Sequence, residues 1–337
     1  MTVRHRLEQT EHLHLSPKAA FSDESRGRVR PEEPSDADVR TCFQRDADRI
    51  VHAKSFRRLM HKTQVFLSPE GDHYRTRMTH TLEVNRISRS VARALGLNED
   101  LTEAIAMGHD LGHTPFGHAG EFALSEMLGK PFRYNEQSLR VVDYLERDGA
   151  GLNLTLEVRM GILGHTGDYV PETMEGQVVR ICDRVAYVNH DMDDAIRAGV
   201  LTDLDIPKDI RRVLGESYRE RINTLVCDAI ENSVDANTVS LSPGVNQALL
   251  DLRSFMFERV YRNPDVKGEE VKAKDMIKRM YTYYMEHPET IPLDFQPQIS
   301  FDGMERTVCD YIAGMTDNYA VDKYTELFIP SGWQVRG

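Results

Sequence analysis

From Val39 onward, apolar residues recur at spacings of three and four, broken by clusters of Gly, Pro and Asn, while the strict alternation of a half-buried strand is scarce. A chain patterned in this way buries stripes of helix against stripes of helix, so the fold reads as all-α. One stretch departs from the pattern: Val65 to Tyr74 turns at PEGD and reads as a short β-hairpin. Residues 1–40 carry Gly, Pro and Ser with little apolar periodicity and read as an N-terminal arm or linker. Residues 41–200 hold the polar motifs that carry chemistry. Residues 201–337 form a C-terminal helical region, most periodic in LLDLRSFMFERVY and KAKDMIKRMYTYYMEHPE. With few reactive groups of its own, that region is expected to support a site or build an oligomer interface.

Composition narrows the class. The chain has 337 residues, 40% of them hydrophobic, enough for one large domain or two modest ones sharing a core, and disorder is not the default reading. No run approaches the roughly 18 to 20 apolar residues of a membrane span, and the start, MTVRHRLEQTEHLHL, lacks the apolar centre of a secretory signal. A cytoplasmic protein without membrane attachment is therefore expected. Cys42, Cys182, Cys227 and Cys309 are far apart with no CxxC pair, which suggests neither a thiolate zinc site nor a disulfide framework. A net charge of −12 argues against nucleic acid as the main partner. Arg57, Arg58, Lys62, Arg75 and Arg77 nevertheless gather just before a histidine-rich region. Such a basic pocket in an acidic protein suits a small polyanion, although a solvated basic helix face explains the same run.

The chemistry lies between His80 and Asp194. In MTHTLEVNRISRSVARALG, His80 shares one helical stripe with Val84, Ile87, Val91 and Leu95 and so points inward. A lone inward histidine can equally be a hydrogen-bonded core residue. The next helix, capped by Asn98 with Glu99 and Asp100 in its first turn, leads into AIAMGHDLGHTPFGHAGE, where His109 and Asp110 are adjacent. Imidazole nitrogen and carboxylate oxygen together suit Mn, Fe, Co, Ni or Zn, and the oxygen donors also admit Mg. In GQVVRICDRVAYVNHDMDDAI, Asp183, Tyr187, His190, Asp191 and Asp194 fall along one face of a single helix among apolar neighbours. Acids placed there need cations nearby. Asp183 is the strongest ligand candidate, while Asp191, Asp193 and Asp194 read equally well as ligands or as an ion-paired face with Arg180, Arg184 and Arg197.

His80, His109-Asp110 and Asp183 match the H…HD…D signature of the HD phosphohydrolases. The runs KTQVF, RTRMTHTLEV, GHDLGHTPFGHAGE, NEQSLRVV and DYIAGMTDNYA further resemble the deoxyguanosinetriphosphate triphosphohydrolase-like family, from about Ser22 to Phe328. The resemblance implies an HD-domain helical bundle with a C-terminal helical extension. It implies hydrolysis of a deoxynucleoside triphosphate (dNTP) to a deoxynucleoside and inorganic triphosphate, by water attack at the α-phosphorus. His80, His109, Asp110 and Asp183 would hold a divalent metal ion, and His118 with Glu121 would form a catalytic dyad. His113 and Arg77 would contact phosphate, Gln64 would read the sugar 3′-hydroxyl, and Tyr187 and Asp191 would line the sugar pocket. A homo-oligomer, often a hexamer, and a dNTP effector at a second site occur among relatives. Two positions depart from the family pattern: Tyr134 stands where many relatives have histidine, and Arg184 where a second acid is common. Other HD phosphohydrolases, such as a nucleoside monophosphate phosphatase, and a non-catalytic nucleotide-sensing module are the rival readings.

Overall fold

The computed structural model describes residues 1–32, 35, 37–64, 75–262 and 264–330. Among them are sixteen α-helices and no strand, only the isolated bridges Arg28–Thr155 and Thr63–Thr76. The hairpin expected at Val65–Tyr74 lies outside the described residues, although the Thr63–Thr76 bridge brings its two flanks together.

Three helices frame the centre. Arg77–Ala94 begins at a capping box in which Thr76 and Thr79 satisfy each other's backbone N–H groups. Glu99–Gly108 is capped by Asn98, whose side chain accepts from the N–H groups of Asp100 and Leu101. Met174–Arg197 is the longest, and on its Asp183 face Asp183, His190, Asp191 and Asp194 are buried. All three pack against one another, with Cys42–Val51 and Leu156–Gly164 closing the sides. Phe43, Ile50, Val84, Leu101, Ile105, Val158 and Ile162 form the core that seals them.

Two further apolar cores reach into the C-terminal region. Val185, Val188 and Met192 of the Met174–Arg197 helix join Leu225, Leu249, Leu252 and Val260. Phe116, Ala123 and Leu124 join Ile277, Met280, Tyr284, Val308 and Ile312. The region expected to support the site thus shares its cores with the helices that carry it.

The segment read as an arm contains the helix Val3–His14. Its polar face hid this helix from a search for apolar periodicity, since it buries no residue fully. Beyond it the chain is tied down by polar contacts: Arg28 pairs with fully buried Asp46, whose other oxygen accepts from the N–H and hydroxyl of Thr155.

Candidate metal centre

The Glu99–Gly108 helix stops just short of the His-Asp pair. His109 is its C-cap and Asp110 lies in the turn beyond, so the two side chains converge from a bend rather than from a continuing helix. Gly112 makes that bend possible. A Cβ there would sit 2.1 Å from the backbone nitrogen of Ser138 and 2.4 Å from the carbonyl of Tyr134. The turn is pinned at Ser138, whose hydroxyl donates to the His109 carbonyl and accepts from the Gly112 N–H.

His80, His109 and Asp110 are all buried, and their donor atoms lie within 4.8 Å of one another. Asp183 Oδ1 reaches the same point, 3.0 Å from His80 Nε2 and 3.7 Å from His109 Nε2. His109 Nδ1 lies 2.6 Å from the Ala106 carbonyl and must donate to it. In the neutral ring, Nε2 then carries the lone pair. That nitrogen is buried without a hydrogen-bond partner, 3.4 Å from Asp110 Oδ1. A buried lone pair facing two carboxylates is repulsive unless a cation lies between them, and two imidazoles with two carboxylates suit a divalent transition ion or Mg. The four residues fit such an ion.

Charge balance at the cluster favours the anions. Asp110 Oδ2 pairs with Arg77 at 3.1 Å, and Oδ1 lies 2.9 Å from His113 Nε2. Burial raises the Asp110 carboxyl, but Arg77 and the His113 hydrogen bond outweigh it and hold it well below the usual range. Asp183 behaves alike: burial works upward, and the His80 hydrogen bond, the largest opposing cause, brings it down to about 2. His113 is kept neutral by burial and then by Arg77.

Glu121 Oε2 lies 3.1 Å from His118 Nδ1, so the dyad geometry is present, with His118 84% exposed and Glu121 mostly covered. Gln64 keeps a buried side-chain oxygen without a hydrogen-bond partner among the described residues. Tyr187 is half-buried one turn after Asp183, and burial pushes its phenol up to about 12. Asp191, raised to about 7 by burial against a hydrogen bond, accepts from the Tyr261 hydroxyl.

The basic run does not form one pocket. Among the described residues, Arg77 alone of its five members bonds to the cluster. Lys62 is buried and donates to the carbonyls of His113 and Ala313, and Arg57 donates to the His52 carbonyl. Arg75 settles the reading of the acid stripe, because it pairs with Asp193 at 2.8 Å and Asp194 at 2.9 Å. Of the arginines expected to do so, Arg197 does approach Asp193, whereas Arg180 donates to the carbonyls of Gly164, Gly167 and Tyr169.

His165 and Tyr261 escaped sequence reasoning, and Tyr134 was noted only as a departure from the family pattern. His165 is buried, with no hydrogen-bond partner for Nε2 among the described residues, its ring 5.0 Å from that of His109, and burial lowers it to about 4. Its signal was readable: LGH at 163–165 repeats the Gly-His helix end of MGH at 107–109, and both Nδ1 atoms bond the carbonyl three residues back. Tyr134 stacks on His113 with ring centroids 3.7 Å apart. Tyr261 comes from the C-terminal region, and no local pattern links it to Asp191.

Comparison with known proteins agrees with this geometry. Residues 77–188 match the HD domain and residues 239–326 the phosphohydrolase-associated domain. A deoxyguanosinetriphosphate triphosphohydrolase-like protein of Caldanaerobacter subterraneus subsp. tengcongensis is 56% identical over 99% of this chain and 98% of its own length. One from Desulfatibacillum aliphaticivorans is 49% identical over 98% of this chain and 99% of its own. A solved phosphohydrolase from Bacteroides thetaiotaomicron, 18% identical with a TM-score of 0.51 over 83% of this chain and 67% of that one, shares the fold. Identity at this level across both full lengths, with the HD ligands gathered at one buried point, means that the chain belongs to the deoxyguanosinetriphosphate triphosphohydrolase-like family of HD-domain phosphohydrolases.

Proposed function

We propose that this protein hydrolyses dNTPs, dGTP among them, to deoxynucleoside and inorganic triphosphate. The observation that carries the reading is the buried, partnerless His109 Nε2 aimed at Asp110 and Asp183, a donor set that fits a divalent ion beside a phosphate. When bound, the ion would polarise the α-phosphoryl group and ease ionisation of water. His80, His109, Asp110 and Asp183 would hold it. Arg77 and His113, both buried against Asp110, would meet the phosphates as the negative charge of the substrate arrives. As the water oxygen bonds to the α-phosphorus and the bond from phosphorus to the 5′-oxygen breaks, His118 would pass a proton to that oxygen, with Glu121 orienting the ring. Gln64 would read the 3′-hydroxyl with its unpartnered oxygen, and Tyr187 with Asp191 would line the sugar. In line with the family resemblance, the reading includes a cytoplasmic homo-oligomer, hexameric in form, that takes a dNTP effector at a second site. Its HD-type catalytic unit spans about 41–200.

Metal-reconstituted protein incubated with each dNTP, singly and mixed, with products resolved by anion exchange, tests the activity. Tripolyphosphate and free deoxynucleoside are expected. Pyrophosphate with dNMP, or orthophosphate with dNDP, would mean a different bond is cut.

A further inference from the structure

The sequence run IAGMTDNYA falls far from every metal ligand, at the end of the Met304–Ala313 helix and the start of Asp317–Phe328. Asp317 is nonetheless 2% exposed, and its two oxygens point at the two loops that carry the proposed substrate contacts. Oδ2 accepts from the Thr63 N–H at 3.0 Å and from the Thr63 hydroxyl. Oδ1 accepts from the Phe116 N–H at 2.9 Å. Thr63 immediately precedes Gln64. Phe116 sits between His113 and His118.

The second loop needs an anchor. Phe116 has φ 61° and Gly117 φ 54°, two successive residues in the left-handed half of backbone space, which a bulky residue such as Phe116 adopts only under strain. The turn also presses Gly117 onto the substrate-facing arginine: a Cβ at Gly117 would lie 3.1 Å from Arg77 Nη2 and 3.9 Å from the Gln64 carbonyl. His118 then opens the following helix. The loops carrying Gln64 and His118 therefore meet at Gly117 and are tied to one carboxylate from the C-terminal region.

We propose that Asp317 is a positioning residue of the active site, holding Gln64 on one side and the His113–His118 turn on the other in a fixed mutual register. Lys62 joins the same clasp from the opposite direction, since its ammonium donates to the His113 and Ala313 carbonyls. The phosphohydrolase-associated segment contributes geometry to the reaction as well as apolar cover. This assignment rests on the triphosphohydrolase reading for its kinetic effect, but its structural part stands independently.

The test uses the full metal-loaded chain with Asp317→Ala, Asp317→Asn and, as a control, Asp310→Asn. Asp310 is as deeply buried but binds Arg140, Arg306 and Gln137 rather than Thr63 or Phe116, so the control reports on the loss of a buried, hydrogen-bonded carboxylate elsewhere in the same segment. Asp317→Ala is expected to lower kcat on dGTP on the order of 100-fold, the effect of a displacement of about 1 Å at reacting groups, with metal content unchanged. Asp317→Asn, which keeps one acceptor, should lose less. Amide hydrogen exchange should accelerate in peptides covering residues 60–64 and 113–121 in the Asp317 variants but not in Asp310→Asn. Wild-type kcat in folded Asp317→Ala overturns the proposal, as does an equal kcat loss in Asp310→Asn or a loss that tracks departing metal. If Asp317→Ala does not fold, Asp317→Asn decides by the same criteria. If the wild-type protein releases no triphosphate from any dNTP, the functional reading fails by itself; unchanged exchange at 113–121 would still overturn the role of Asp317.

Discussion

Asp183 brings a carboxylate to the proposed metal site from the middle of a helix that does not depend on that side chain. It lies mid-helix on Met174–Arg197 and contributes its carboxylate, not its backbone, to the cluster with His80 and His109. Asp183→Ala is expected to abolish turnover and lower metal occupancy while helicity by circular dichroism is preserved, because one ligand is lost without a change of backbone. Full metal content with normal turnover would show that the ion is held elsewhere. Tyr187 stands one turn, or about 6 Å, farther along the same face, roughly the distance from an α-phosphate to its sugar. There a ring packed at C2′ would exclude the extra hydroxyl of a ribonucleotide. Tyr187→Ala should narrow the ratio of dGTP to GTP turnover, mainly through loss on dGTP, at constant metal content. Should that ratio keep its wild-type value, the discrimination belongs to Gln64, to Asp191 or to Tyr261, which the fold brings against Asp191.

The helix that carries Asp183 and Tyr187 is itself seated by a buried acid in its first turn. Glu175 accepts from the N–H groups of Ala20 and Asn98, so it joins the start of this helix to the cap of Glu99–Gly108. Burial pushes its carboxyl up from 4.5 to about 7, against those two hydrogen bonds. Between these values the folded state keeps a proton that the unfolded state has released. The contribution to stability is therefore fully present below pH 4.5 and is lost as pH rises through about 7, a change of roughly 3 kcal/mol. Glu175→Gln retains the acceptor oxygen and removes the titration. Urea denaturation should show this part of the decline between pH 4.5 and 7 in the wild type and its absence in the variant; equal slopes would mean that Glu175 ionises normally. The helix and its inward face were legible from periodicity, because apolar spacing reports burial directly. The bend at His109–Gly112 was not, since it is forced by contact with Tyr134 and Ser138, residues more than twenty positions away. Arg75 was misread for a similar reason: a basic run records charge, but its partners Asp193 and Asp194 lie across the fold.

At the scale of the whole molecule, the ligands come from helices that share apolar cores with the C-terminal region, and the loops over the site are fastened to that region by Lys62 and Asp317. The residues expected at the cluster and the His118–Glu121 pair were legible as short motifs, His109-Asp110 and HAGE among them. The fastening could not, as Thr63 and Asp317 are 254 residues apart. This assembled site is claimed to direct water to the α-phosphorus and to no other atom, which an isotope can report without reference to any variant. Metal-loaded protein turning over dGTP in water enriched in oxygen-18 should yield unlabelled deoxyguanosine and triphosphate carrying one oxygen-18 on a terminal phosphorus, read by mass spectrometry and by the isotope shift in phosphorus NMR. Label in the deoxynucleoside, or its appearance in orthophosphate or pyrophosphate released directly from dGTP, would contradict the account.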